Sequence, residues 1–177
     1  MKKHIYLFCI AINLAFFAGC STYGNNTSAV VSENTLTKTV SSQSVDVTDW
    51  KPTPYETINN FAGVNMTVNK GSASSTKLTV VFENNSNSQC IYGEYFGLER
   101  KINGIWYQVP VIIDGNYGFN CIGYNLASGD ACEKVVDWNW LYGSLDAGEY
   151  RIVKDISDFR GTGYYDTYYL AAELTIY

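Results

Sequence analysis

The sequence is poor in the side chains from which most catalytic centres are built. It has one histidine, His4, and only 16% charged residues. Its five cysteines include no Cys-x-x-Cys pair, so no thiolate zinc knuckle is encoded. Twelve Lys and Arg stand against 17 Asp and Glu, a formal charge of −5, which lacks the basic footprint of a nucleic-acid binder. No apolar run is long enough to span a bilayer. The longest, Ile5 to Gly19, is broken by Asn13, and fifteen helical residues rise only about 22 Å against a ~30 Å hydrocarbon core. No segment repeats apolar residues at helical spacing over ten or more positions. What the 177 residues do hold is 46% hydrophobic side chains and 15 tyrosines. That is too apolar for wholesale disorder, and it favours strands over helices.

The first nineteen residues read as a signal peptide: a basic start at Met1-Lys2-Lys3, a short apolar stretch, then small residues. Phe17-Ala18-Gly19-Cys20, followed by Ser21, resembles the lipobox of bacterial lipoproteins. Phe17 stands where that family usually has an aliphatic residue. The resemblance implies cleavage before Cys20 and a diacylglyceryl group on its sulfur, with two or more acyl chains giving stable attachment to a membrane. The alternative is an ordinary secretory signal with an incidental cysteine. Cleavage would remove Lys2 and Lys3, leaving ten basic side chains against seventeen acidic, a formal charge of −7. It would also remove His4, and with it Ser-His-Asp, Cys-His and His-zinc chemistry.

From Ser21 to about Thr48 the chain is rich in Ser, Thr, Asn and Val, without sustained periodicity. Such a segment buries too little surface to offset its ordering entropy. Residues 20–60 are therefore expected to form a lipidated, flexible tether, stiffened near its end by Pro52 and Pro54.

Beyond residue 60 the apolar period becomes two. Val64, Met66 and Val68 alternate with polar residues, as do Leu78, Val80 and Phe82. Further runs cover 91–100, 105–113, 119–126, 132–136, 149–154 and 170–176. Asn103-Gly104 is a hairpin signal between two of them. About eight short strands separated by Asn, Gly and Ser predict an all-β fold over 61–177, an antiparallel sandwich with a Gly-rich barrel as the alternative.

Leu145-Asp146-Ala147-Gly148-Glu149-Tyr150-Arg151-Ile152 resembles the tyrosine corner of immunoglobulin-like domains, with Gly148 freeing the turn and Tyr150 bonding back to upstream backbone. Together with Tyr92-Gly93, Phe96 to Arg100, Gly104 to Pro110, Asp137-Trp138 and Leu141-Tyr142-Gly143, it makes residues 63–177 similar to bacterial immunoglobulin-like domains. The resemblance implies a sandwich of seven to eight strands, an extracytoplasmic setting and no enzymatic activity. It carries over no catalytic or ligand residues and no cofactor.

Three thiols remain after Cys20. If 119–126 and 132–136 form a hairpin centred on Leu126-Ala127, Cys121 and Cys132 face each other and can bridge outside the cytoplasm. Closing that loop would stabilise by roughly 3 kcal/mol. The rival pairing joins Cys90 to either of them. The carboxylates mark neither a glycosidase pair nor an EF-hand, which leaves a calcium site at Asp114, Asp155 or Asp158 without a motif; no metal site is expected. Two aromatic groups are candidate binding surfaces. Trp138, Trp140 and Tyr142 would share a face in extended chain and could stack on sugars, unless Trp138 is core. Tyr164, Tyr165 and Tyr168 lie in a Gly/Tyr-rich segment, 160–169, expected as a loop before the last strand, where such residues suit adaptable recognition.

The expected protein is a lipid-anchored, extracytoplasmic envelope protein with one non-catalytic module. Its partners would be a bacterial membrane, through the lipid, and an unidentified protein or glycan, with no nucleic acid. The alternatives are a carbohydrate-binding module and an envelope hydrolase built on carboxylates.

Overall fold

The computed structural model describes residues 49–177. The signal peptide, Cys20 and the tether up to residue 48 lie outside the described residues.

Strands β1 (Val64–Val68), β2 (Lys77–Asn84) and β7 (Ala131–Asp137) form a three-stranded antiparallel sheet in the order β1-β2-β7. The second sheet has six strands: β3 (Cys90–Tyr92), β4 (Gly97–Ile102), β5 (Ile105–Gln108), β6 (Tyr124–Leu126), β8 (Gly148–Gly161) and β9 (Tyr164–Ile176). Its order is β5-β4-β8-β3-β6, with β9 along the remaining edge of β8. A single helical turn, α1 (Asn139–Tyr142), follows β7.

The period-two pattern explains the core. Alternate residues of a strand point to one face, and Val64, Met66, Leu78, Val80 and Phe82 from one sheet meet Leu98, Ile152, Ile156, Leu170 and Ala172 from the other. Each is almost fully buried, and burying one Val, Leu, Ile or Phe side chain is worth roughly 1.5–3 kcal/mol. Asn84, also buried, joins the sheets where β2 ends. Its Nδ2 donates to the carbonyls of Ser88 (2.8 Å) and Leu126 (3.1 Å), and its Oδ1 accepts from the Ser86 backbone N–H (3.0 Å) and hydroxyl (2.6 Å).

Asn103-Gly104 makes the expected two-residue turn between β4 and β5. Both residues have positive φ, 52° and 82°, as the turn requires.

Several boundaries depart from the sequence reading. The run 91–100 is two strands, β3 and β4, laid end to end along one edge of β8. Tyr92 pairs Ile156 and Gly97 pairs Val153, so four residues, 93–96, oppose only Lys154 and Asp155. This is a two-residue bulge, and a bulge re-aims side chains. The expected loop at 160–169 is strand: β8 and β9 form one long hairpin that turns at Thr162-Gly163. Tyrosine and threonine keep the ladder going there.

The hairpin expected between 119–126 and 132–136 is absent. β6 pairs β3, whereas β7 pairs β2 over seven residues, from Lys77↔Asp137 to Glu83↔Ala131. The connecting turn is held to the end of β2 by Gly129 N–H to Asn84 O (2.7 Å) and Asn84 N–H to Asp130 O (2.9 Å), so the chain crosses between sheets at that point. The seven-pair ladder, with buried Leu78, Val80 and Phe82 along it, outweighs the few pairs a local hairpin would offer. Cys132 therefore lies beside Phe82, not opposite Cys121.

The folded unit also begins earlier than residue 61. Lys51 O accepts from Gln108 N–H (2.8 Å), and Thr53 N–H donates to Trp106 O (3.0 Å), which extends the sheet past β5. Asn59 binds the edge of β9 at Ala171 in both directions, Nδ2 to O at 3.0 Å and N–H to Oδ1 at 2.8 Å. Satisfying these edge groups explains why a polar, Pro-containing segment lies down on the sheet.

Candidate binding cleft

The even-numbered residues of β8 face the space between the sheets: Tyr150, Ile152 and Ile156 are core. Lys154 occupies the same face and is 1% exposed. The bulge in the facing strand accounts for it. Four residues against two leave carbonyls without ladder partners, and the Lys154 ammonium donates to two of them, Gly93 O (2.9 Å) and Tyr95 O (2.6 Å). Burial lowers its pKa from the ordinary lysine value to about 8, with Asp155 and Glu94 resisting and Lys134 assisting the fall. No carboxylate lies within 4.0 Å of its amine among the described residues.

A second lysine faces inward from the opposite sheet. Lys134 of β7 donates to Glu94, at the bulge, at 2.5 Å, and to the Tyr124 hydroxyl at 3.1 Å. Tyr124 in turn donates to Glu94. The lysine and tyrosine hydrogen bonds hold the Glu94 carboxyl below the usual carboxylate range. Burial pulls Lys134 down, but its bonds to Glu94 and Tyr124 outweigh it, so its pKa is raised.

Aromatic rings complete the wall. Phe119, from the long connection between β5 and β6, packs edge-on against Phe96 (5.2 Å), Trp140 (5.6 Å) and Tyr117 (6.4 Å). Between these rings and β7 opens a cleft of about 390 Å³, lined by Glu94, Lys134 and Lys154 with Asp137, Phe119 and Trp140. That volume lies within the range of small-ligand sites, as does the combination of apolar wall and few polar groups. The same aromatic cluster backs a smaller hollow of about 120 Å³ on its other side, which Glu99 and Tyr55 help line.

The sequence candidates separate here. Trp138 is fully buried, with its indole N–H on Ser75 O (3.0 Å). It belongs to the core and, contrary to expectation, offers no surface to a ligand. Trp140 is 43% exposed and lines the cleft. The extended chain that would have aligned Trp138, Trp140 and Tyr142 is replaced by α1, which turns them apart. Tyr164 and Tyr165 are exposed at the hairpin tip, where Arg160 lies over the Tyr164 ring (4.2 Å). Tyr168 stacks on Phe61 (4.3 Å). Tyr150 donates its hydroxyl to Asp146 O (3.0 Å) at the start of β8.

Gly148 has a different role from the one expected. Its φ is not positive; instead, a Cβ there would lie 3.1 Å from the Arg100 guanidinium, which crosses it to reach Ala147 O (3.0 Å). Cys90, Cys121 and Cys132 are free thiols: Cys90 buried, Cys121 exposed, and Cys132 against the Tyr92 hydroxyl at 3.1 Å. Burial pushes the Cys90 thiol up to about 11. No group of three His, Cys, Asp or Glu is gathered for a metal ion among the described residues, and Asp114, Asp155 and Asp158 do not come together. No helix among them is long and apolar enough to cross a membrane.

Lys154 and Glu94 were not singled out from the sequence. One signal existed for Lys154: it breaks the apolar series Tyr150, Ile152, Ile156 at an inward position. Glu94 had none, because the bulge that aims it is a tertiary feature.

The strand arrangement defines the class. β2 pairs β7 in one sheet, β8 lies between β4 and β9 in the other, and the Tyr150 bond opens β8; these correspond to B–E pairing, the C–F–G order and the strand-F tyrosine of an immunoglobulin-like sandwich. A family model described as a bacterial Ig-like domain matches residues 60–175, and the chain belongs to that family. No curated protein and no solved structure matched it.

Proposed function

We propose that this protein is a lipid-anchored envelope protein that holds one non-catalytic Ig-like module away from a bacterial membrane and presents it for binding. The observation that carries the reading is the pairing of a bacterial Ig-like domain at 60–175 with a lipobox-like Cys20 upstream. Between Cys20 and the first described residues lie roughly thirty residues, the length of chain available to separate the module from the membrane. Metabolic labelling with a fatty-acid analogue tests the anchor. Label is expected on the full chain, with the protein in the membrane fraction, and Cys20→Ala is expected to lose both. An unlabelled wild-type chain sinks the anchored reading.

A second reading, carbohydrate binding, has one observation in its favour. Trp140 is exposed at a cleft whose other walls carry carboxylate, ammonium and amide groups, the mixture of ring surface and hydrogen-bonding groups that sugars require.

A further inference from the structure

We propose that the cleft between β7 and the β3–β4 bulge is a site for an acidic sugar, with a hexuronate carboxylate on Lys154 and the pyranose ring against Trp140. The proposal rests on the carbohydrate-binding reading and narrows it to one charge class.

The argument begins with charge. Two ammonium groups and one carboxylate converge inside the cleft. Glu94 is engaged by Lys134 at 2.5 Å and by Tyr124. Lys154 has no such partner: it holds two backbone carbonyls, and its third N–H has no acceptor among the described residues. A buried ammonium without a counter-ion is unfavourable, and burial also weakens the competition from water for an incoming anion. Asp137 is the remaining carboxylate on the lining. It lies at the exposed end of β7, where its Oδ1 accepts the Asn139 N–H at 3.0 Å. The interior of the cleft therefore carries one uncompensated positive charge.

Shape and chemistry of the walls select what carries the anion. A free inorganic ion would leave the aromatic wall of Phe96, Phe119 and Trp140 uncovered. A purely apolar acid would leave Asn120 and Asp137 facing it without donors or acceptors to meet. A carboxylated pyranose answers both, with an apolar ring face and hydroxyls that donate to carboxylates and accept from the amide. The bulge ties the parts together. It frees the carbonyls that position Lys154, carries Glu94, and sets Phe96 in the wall, in keeping with bulges that re-aim side chains at functional sites.

The test is titration calorimetry on the full-length, detergent-extracted chain with sodium glucuronate, glucose and acetate as probes. Glucuronate is expected to bind saturably, glucose and acetate at least about tenfold more weakly. Lys154→Met and Trp140→Ala are each expected to weaken glucuronate by about tenfold or more. Trp140 is exposed, so its variant keeps the readout if Lys154→Met does not fold. Affinity should also fall as pH rises through about 8, as Lys154 loses its proton in a field set by Glu94, Asp155 and Lys134. Equal binding of glucose and glucuronate would overturn the acidic-sugar assignment while leaving carbohydrate binding standing. Absence of binding by both sugars removes the two readings together. Undiminished glucuronate binding in Lys154→Met or Trp140→Ala would refute the placement.

Discussion

Strand β8 buries two cations three residues apart and treats them in opposite ways. Arg151 points to the outer face. Its Nε meets Glu99 at 2.5 Å, its Nη2 donates to Thr53 (3.1 Å), and its guanidinium lies 4.5 Å above the Trp106 ring. Lys154 points to the inner face, meets only backbone carbonyls, and borders the cleft. The outer cation is enclosed by partners that hold the N-terminal segment to the sheet, which is a structural task. The inner one keeps an unused N–H and its charge at the wall of the cleft. The difference teaches that burial of a charge is not itself a functional signal; burial without a counter-ion beside a cavity is one.

The comparison breaks most visibly at Glu99. Glu99→Ala leaves the Arg151 charge buried and unpaired, and a loss of about 3–5 kcal/mol is expected in urea denaturation. The double variant Glu99→Leu with Arg151→Met removes both charges and should recover most of that loss, because the pair itself contributes little beyond an apolar equivalent. A loss below about 1 kcal/mol for the single variant would mean that the outer cation is no better satisfied than the inner one.

Lys154 should show its difference in pH. Below about 8 both folded and unfolded chains hold the proton, and the cost of burying the charge is fully present. Between 8 and the ordinary lysine value of 10.5 only the unfolded chain holds it, so this group makes folding more favourable as pH rises. Cys90, raised to about 11 by burial, works the other way above its ordinary 9.0, and half-buried Tyr55 and buried Tyr92 do so above 10.0. The clean readout is therefore a difference. Stability of the wild type relative to Lys154→Met should rise by about 2 kcal/mol between pH 8 and 10. A pH-independent difference would place the amine in water.

How these regions could be read in advance follows the same division. The sandwich was legible because its in-out alternation is local: Leu78-x-Val80-x-Phe82 states a strand and its buried face, and Asn103-Gly104 states a turn. The tyrosine-corner segment was legible because its partner is four residues away, within the same turn. The β6–β7 hairpin was misread because a turn at Ser128-Gly129 looks the same whether the flanking strands pair with each other or cross between sheets; the choice lies with β2, over forty residues distant. The cleft was nearly illegible for the same reason. Trp140 stood out by composition, but Glu94 and Lys154 acquire their meaning from a bulge created by the register of β3 and β4 on β8. The strap at Lys51–Asn59 was read as tether because its polar groups bond to a sheet edge that the sequence does not display.

Tyr150 offers the neutral counterpart to Lys154, on the same inner face of the same strand. Its hydroxyl has a single defined partner, Asp146 O at 3.0 Å, and its ring lies under Arg100 at 5.4 Å. Tyr150→Phe keeps the ring and removes the bond, so a loss of about 1 kcal/mol is expected, the ordinary net worth of one intramolecular hydrogen bond. Burial raises the Tyr150 pKa above its ordinary 10.0, so the group stays protonated in both states between pH 8 and 9. The stability profile of Tyr150→Phe in that window should therefore run parallel to the wild type, displaced downward. A slope change like that of Lys154→Met would show that the pH response belongs to the inner face as a whole, and the contrast between a satisfied and an unsatisfied buried group would no longer account for it.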